Sequence, residues 1–304
     1  MEKKDNSPLK ISSISELHQI LNVSKPLHPL ISLVDNRAMS VNKEMLNRNF
    51  VLNFYKISYK FSENGKMGYG QGYYDFNEGG MMFTAPNQIL STEENAEYHG
   101  YTLFIHPDFI RNYSLAKNIK KYGFFSYDTN EALHLSDKEK KLIVGLLDNI
   151  QGELNTAIDD ISQDVIISYI EVLLNYSNRF YKRQFITRKS VSSDLLSKME
   201  YLLNTYFDEE ETLNKGLPTV EFLASELNLS PHYLSDMLRN LTGQNAQQHI
   251  HEKLIEKAKE YLTTTNLSVA EVAYQLGFEH SQSFNKLFKK KTHTTPLIFK
   301  QSFN

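Results

Sequence analysis

The sequence predicts an α+β multidomain chain: an antiparallel β barrel in the N-terminal half, a helical segment behind it, and an all-α C-terminal domain with two helix-turn-helix motifs. Three stretches carry this expectation. FVLNFYKISYKF at 50–61 is dense in aromatic and β-branched residues. It is followed by the glycine-spaced GKMGYGQGYYDF and by GGMMFTAP, a texture of short strands and turns that suits a small barrel or sandwich. Between Ser136 and Arg183, Leu142, Leu146, Ile150 and Leu154, then Val165, Ile166, Tyr169, Ile170, Leu173 and Leu174, repeat at the three-and-four spacing of amphipathic helices. From Leu267 to Lys300 a short apolar-faced helix, a turn on Gly277 and a second helix rich in amide and basic side chains form a helix-turn-helix.

Composition narrows the function classes. A chain of 304 residues with 40% hydrophobic and 12% aromatic content is long enough for two folded domains. Met1 to Pro8 is polar and charged, and no run of 18 apolar residues occurs, so neither a secretory leader nor a membrane span is expected. The absence of cysteine excludes disulfides, thiolate metal sites and a cysteine nucleophile, and fits a cytoplasmic protein. Net charge is −3, so attraction to nucleic acid has to come from a local patch. Lys286, Lys289, Lys290, Lys291 and Lys300 supply one, with no acidic residue after His280.

Taken in order, residues 1–24 read as an N-terminal arm or lone helix around Ile14, Leu17 and Leu21, and 25–135 as the β-rich domain. GYGQG at 68–72 is a turn between strands, since neither a helix nor a Lys-Ser or Lys-Thr follows it. His28, His99 and His106 are scattered. His249 and His251 fall on a helix, where residues two apart diverge by about 200°, so surface or capping roles are expected for all five. Residues 136–186 form two antiparallel helices broken at 155–162, where Asp159 and Asp160 look solvent-exposed, and TRKSVSS at 187–193 reads as a polar linker.

The C-terminal domain spans 194–304. Thr219 caps a helix that runs through Leu227, Asn228 takes the turn, and Ser230-Pro231 starts the next with serine as cap and proline at its first position. Leu234, Met237, Leu238 and Leu241 face inward, leaving His232, Ser235, Asp236 and Arg239 outward. Gly243 ends that helix, and a rod from Asn245 to Leu262 follows, about 27 Å long, with Ile250, Leu254, Ala258, Tyr261 and Leu262 inward. Its length suits two recognition helices set in successive major grooves about 34 Å apart. In the last motif Ser268 and Glu271 make a capping box, and Val269, Val272, Ala273 and Leu276 form the apolar face. Phe278, Phe284, Leu287 and Phe288 pin the second helix. Its outward set is Ser281, Gln282, Asn285, Lys286, Lys289 and Lys290: amides that pair with adenine and lysines that reach guanine or phosphate.

The string A-x-x-x-G-F-x-x-x-x-x-F-x-x-x-F-K-x-x-x-x-x-T-P, Ala273 to Pro296, resembles the signature of the AraC/XylS family of bacterial transcription regulators. The resemblance extends over about the last 110 residues of the chain. It implies double-stranded promoter or operator DNA as partner, a homodimer formed through 136–186, contact with RNA polymerase as in an activator, and a cupin-like N-terminal domain that binds a small-molecule effector. The chain departs from the family at His293, where glycine is usual, at His280, where an acidic or small polar cap is common, at Asp236, where a basic residue is frequent, and at Lys253, more often arginine. A carboxylate at Asp236 repels phosphate, so the first motif is expected to read little.

The readings weighed are a DNA-binding regulator that senses a small molecule, a regulator controlled by dimerisation or protein partners alone, and an enzyme with a cupin-type barrel. Against the enzyme, G-x-S-x-G, P-loop, H-E-x-x-H and the cupin metal triad are all missing from the sequence. No catalytic residue, metal or cofactor is expected. Tyr55, Tyr59, Tyr69 and Tyr74, with Tyr73, are the candidate lining of an effector pocket, the competing role for such tyrosines being sheet packing.

Overall fold

The computed structural model describes residues 8–40, 49–61, 67–69, 72–74, 79–91, 99–128, 131–156, 159, 161–187, 189–208 and 211–303. The chain divides into two compact units, 1–184 and 185–304.

The first unit begins with β1 (Leu9–Ile11) and α1 (Ile14–Ile20), the latter capped by Ser13, whose side chain accepts from the Glu16 N–H. Neither is a free arm. β1 pairs in parallel with β3 (Asn49–Leu52), and Ile11, Ile14 and Leu17 are buried with Val34, Leu52, Phe54 and Phe104. Burial of this stripe wins over the polar composition of the segment, because a three-residue strand and a two-turn helix become stable only by packing.

The remaining strands are β2 (Ile31–Asp35), β4 (Tyr55–Phe61), β5 (Met67–Tyr69), β6 (Gly72–Tyr74), β7 (Gly80–Thr84), β8 (Ile89–Ser91), β9 (His99–Ile105) and, after α2 (Pro107–Ile110) and α3 (Leu115–Asn118), β10 (Leu133–His134). They form a five-stranded antiparallel sheet in the order β10-β7-β4-β9-β2, a three-stranded sheet β1-β3-β8 and the hairpin β5-β6. The closed antiparallel barrel expected from the sequence is not what the described residues make: β10 and β2 are edges, and β1–β3 is parallel. Gly70 and Gln71, the expected tight turn, lie outside the described residues, and their flanks pair as Tyr69 opposite Gly72.

Register gives the five-stranded sheet two unlike faces. Tyr55, Ile57 and Tyr59 stand opposite Ile105, Leu103 and Tyr101, with Phe83 and Met81 beside them. This face is covered by aromatic packing: Tyr55 meets Phe125 edge-on at 5.2 Å and Phe124 stacks on Tyr181 at 5.4 Å. Tyr181 belongs to α5 (Ser162–Thr187), preceded by α4 (Asp137–Asn155). The reverse face carries Phe54 and Phe104, the latter level with Lys56 and Thr84, and then Ser58, Thr102 and Lys60 farther along. There Ser58 and Thr102 share a hydrogen bond of 3.1 Å, and Thr102 donates to Asn36 Oδ1 at 2.7 Å.

Ser136 and Glu139 close a capping box on α4, and Glu139 also takes a forked contact from Arg183 of α5 (3.2 and 2.7 Å). Asp159, expected in a solvated break, accepts from the Ile161 and Ser162 N–H groups at the start of α5. Those bonds hold its carboxyl below the ordinary carboxylate range. Asp160 lies outside the described residues.

The second unit is all helical: α6 (Lys189–Asp208), α7 (Glu211–Lys215), α8 (Val220–Glu226), α9 (Pro231–Thr242), α10 (Ala246–Thr264), α11 (Val269–Gln275), α12 (Ser281–Thr292) and α13 (Pro296–Gln301). The segment 187–193, expected as a polar linker, is helical from Lys189 onward. A polar surface is compatible with a helix that buries little. α7 begins at Glu211, which also pairs with Lys215 one turn on.

If α1 is core, Leu17→Ala should destabilise the chain by about 2–5 kcal/mol in urea unfolding, and Leu27→Ala, at an exposed position, by no more than about 0.5 kcal/mol. Equal, small effects would return α1 to the status of an arm.

Candidate nucleic-acid interface

The second helix-turn-helix motif is built from local signals. Ser268 Oγ accepts from the Glu271 N–H (3.2 Å) and Glu271 Oε2 from the Ser268 N–H (2.7 Å), so α11 starts on a capping box. It ends on Gly277 at φ +89°, where the Phe278 N–H returns to Ala273 O and the Gly277 N–H to Tyr274 O. Glycine is required here twice over. A Cβ at Gly277 would come within 2.7 Å of the Gly216 carbonyl carbon as well as sit at positive φ. Tyr206 and Thr212 fix that neighbour: the tyrosine hydroxyl donates to Gly216 O and the Thr212 hydroxyl to Gln275 O. Phe278, Phe284 and Phe288 are then buried beneath α12.

The first motif repeats the plan. Thr219 caps α8, Asn228 takes the turn at φ +55°, and Ser230 caps α9 with Pro231 at its first position. Pro231 and Ser281, fifty positions apart, each open a helix of 12 residues. Both helices end on a residue in the left-handed region, Gly243 at φ +80° and His293 at φ +61°, and both use a threonine hydroxyl, Thr242 and Thr292, to bond the carbonyl four residues back. His293 thus adopts the conformation for which glycine is preferred, one that histidine tolerates.

This equivalence sets the outward faces side by side: His232 with Gln282, Ser235 with Asn285, Asp236 with Lys286, Arg239 with Lys289. On α12, Gln282, Asn285, Lys286, Lys289 and Lys290 are exposed and Ser281 is half-buried. No ion pair engages those three lysines among the described residues. On α9, His232 and Arg239 are exposed and Ser235 and Asp236 half-buried, and Asp236 holds Arg239 in an ion pair of 2.6 Å. The carboxylate expected to repel phosphate therefore also occupies the one basic group of its own face. Tyr233, not singled out in the sequence, is buried beside Leu234, Met237 and Leu238.

Lys300, counted in the basic patch from sequence, is spent inside the fold. Its ammonium donates to Thr265 O (3.1 Å) and Leu267 O (2.6 Å), closing the carbonyl end of α10. Lys253 pairs with Glu256 on its own helix, and Lys257, one turn on, reaches Asp208 of α6 at 2.7 Å. His249 and His251 bond Thr242 and Gln247, and burial together with the charges of Lys291 and Lys290 pushes the His251 imidazole below its usual pKa. In the first unit His106 caps α2, His28 accepts from the Leu30 N–H, and His99 lies on β9.

α10 joins the two motifs. Its 19 residues rise about 28 Å, start on an Asn245–Gln248 capping box and bury Ile250, Leu254, Ala258 and Leu262 on one side. Of the candidate effector residues, Tyr55 and Tyr59 are buried on one face of the five-stranded sheet, and the side chains of Tyr69, Tyr73 and Tyr74 lie outside the described residues. Among the described residues no group of three or more histidines and carboxylates stands ready to hold a metal ion.

Gly243→Ala should cost about 1 kcal/mol, since only its positive φ is at stake, whereas Gly277→Ala should cost about 2–4 kcal/mol because it also strikes the backbone of Gly216. Thermal melts of both variants test this ranking. The reverse order would remove the Gly216 contact from the account.

A helix-turn-helix domain family matches residues 223–302. The chain is 34% identical over 106 residues to an HTH-type transcriptional regulator in the cgkA 5' region of Pseudoalteromonas carrageenovora, covering 35% of this chain and 58% of that relative. It is 23% identical over 256 residues to the HTH-type transcriptional regulator YfiF of Bacillus subtilis (strain 168), covering 82% of this chain and 77% of that one. Among solved structures it is similar to the C-terminal domain of the response regulator yesN of Fusobacterium nucleatum, with 35% identity over 33% of this chain and 96% of the other, at a TM-score of 0.29. With the motif from Ala273 to Pro296 folded as one of two repeated helix-turn-helix units on a shared helix, and with HTH-type transcriptional regulators as its relatives, the second unit is a helix-turn-helix domain of the AraC/XylS type.

Proposed function

We propose that this protein is a sequence-specific DNA-binding transcription regulator in which α12 reads bases and α9 mainly positions the second unit on the duplex. The observation that carries this reading is the contrast of the two outward faces. Gln282, Asn285 and Lys286 present amide and ammonium donors free of ion pairing, while Asp236 and Arg239 engage each other. Effector binding in the first unit, contact with RNA polymerase and a cytoplasmic location belong to the same reading. The alternatives are control by dimerisation or protein partners alone and, further off, a cupin-type enzyme. No helix among the described residues is long and apolar enough to cross a membrane.

Phosphate contacts add affinity at every sequence, and base contacts add discrimination. Gln282→Ala should therefore lose about 1–3 kcal/mol of preference at its base pair and leave binding to scrambled DNA nearly unchanged. Lys289→Ala should weaken binding to all sequences and flatten the slope of log affinity against log salt by about 1. Titrations on selected and scrambled DNA at several salt concentrations measure both. If Asp236→Ala alters base preference more than Gln282→Ala does, the roles of the two helices are reversed.

For the dimer, α4 supports the reading better than α5. The apolar residues of α5 are largely buried in their own unit. On the outer side of α4, Leu142 and Leu146 are half-buried, and a Cβ built at Gly145 or Gly152 meets nothing within 4 Å. We therefore expect Leu146→Glu to lower the sedimenting mass from two chains to one while the chain keeps its helical circular dichroism. A wild-type protein that is monomeric at micromolar concentration would count against dimerisation through this face.

A further inference from the structure

The outer side of β2 is an open sheet edge. Its antiparallel register with β9, together with the bond from the His106 N–H to Leu30 O, sets which residues turn toward β9: Ser32 opposite Phe104 and Val34 opposite Thr102. Ile31, Leu33 and Asp35 therefore aim their backbone groups the other way. Ile31 forms an isolated antiparallel bridge with His28. No described strand lies beyond β2, and no described residue bonds the N–H and C=O of Leu33 or the N–H of Asp35.

A cavity of about 290 Å³ runs along this edge and is lined by all five residues of β2. One wall is the segment 23–27, which the buried His18 ties to the strand: its Nδ1–H donates to Ser24 O and its Nε2 bonds Ser32 Oγ at 2.9 Å. The other wall is the end of α4, with Gln151, Leu154 and Asn155. The ends are closed as well, by the bridge at His28 and, beyond Asp35, by the Ser40 N–H bonded to Leu21 O at 2.9 Å. Between Ile31 and Asp35 the edge is about 13 Å long.

An open edge is a template for another strand, and folded chains ordinarily cover it or charge it. Here it forms the floor of a cavity. Walls on both sides exclude pairing with a whole second sheet, as from another copy of the chain, and closed ends exclude a segment that has to run on in both directions. A short free peptide meets neither obstacle. We infer that this cavity binds an extended peptide of three or four residues, added to the sheet as a strand beside β2. The peptide exchanges backbone hydrogen bonds with Leu33, and a further carbonyl accepts from the Asp35 N–H. Val23, Pro26 and Leu154 in the lining select apolar side chains. The inference rests on the reading of the first unit as a sensor and gives that sensor a ligand class. A bound peptide would touch α4, the helix that also carries Leu142 and Leu146.

The test uses the full chain and a set of all tripeptides and tetrapeptides of Val, Leu and Thr, read by thermal melting and, for the best binder, by calorimetry. Each amide of that binder is then N-methylated in turn. Strand pairing predicts alternation: methylation of an amide that faces β2 should weaken binding about tenfold or more, and methylation of its neighbour much less. Leu33→Pro removes the donor on the chain's own side. That N–H takes no part in the ladder to β9, so the sheet should persist while peptide affinity falls about tenfold. Gln151→Trp, which fills the cavity from α4, should abolish the response. Binding that tolerates methylation at every amide, or that survives both substitutions, overturns the inference. Stabilisation by a panel of neutral sugars and by no peptide overturns it and leaves the sensor reading standing, and a chain that responds to neither overturns both. The methylation series is read on the wild-type chain and decides the matter even if a variant fails to fold.

Discussion

The apolar side of α10 is the constraint on which the second unit depends. Ile250, Leu254, Ala258 and Leu262 are almost wholly buried along one helix, and both helix-turn-helix units rest on it. A helix carrying a continuous buried stripe cannot bend or slide without opening a cavity along its length. The separation of the two outward helices therefore follows from the number of residues between Asn245 and Thr265 and not from loop conformations. The ends of the rod are secured as firmly as its middle: a capping box at Asn245, and at the other end the Lys300 ammonium on two carbonyls. The lysine nearest the chain terminus thus serves the scaffold, and the charge available to a polyanion is narrowed to one helix face.

On this scaffold the two motifs share backbone plan and diverge in surface chemistry. Their left-handed turns and the threonine back-bonds at the ends of α9 and α12 match, although Ser230 caps α9 through its side chain and His280 makes no such bond to α12, and the outward residues differ. One copy pairs its charges with each other, and the other leaves three lysines and two amides open. The first unit shows a related division within a single sheet. Alternation along β4 sends Tyr55 and Tyr59 to one face, where Tyr55 meets Phe125, and Lys56, Ser58 and Lys60 to the reverse face. A shift of one residue in register would exchange these two faces.

Much of the second unit was legible in the sequence because its determinants are local. Ser268 and Glu271, Gly277, Ser230-Pro231 and Gly243 each specify a cap or a turn within four residues, and the three-and-four period then assigns inside and outside. The misses are long-range. That Lys300 would return to Thr265 and Leu267, that Gly277 would need Gly216 as a neighbour, and that β1 would pair in parallel with β3 are relations between distant positions with no periodic signature. Alternation shows that Tyr55 and Tyr59 share a face and says nothing about what covers it, and the aromatic run at 122–127 that does so carries no strand or helix period. Residues 187–193 were read by composition, which reports solvent exposure and leaves backbone conformation open.

The central claim is that two like-built units held at a fixed separation play unequal parts on one duplex. Selection of binding sites from random DNA with the full chain, followed by hydroxyl-radical footprinting on the selected site, tests it directly. The account predicts backbone protection in two major grooves about 10 base pairs apart on one face of the helix, with strong base preference confined to one of them and lost on substitution of Gln282. Protection of a single groove per chain, or equal base preference in both, would contradict it.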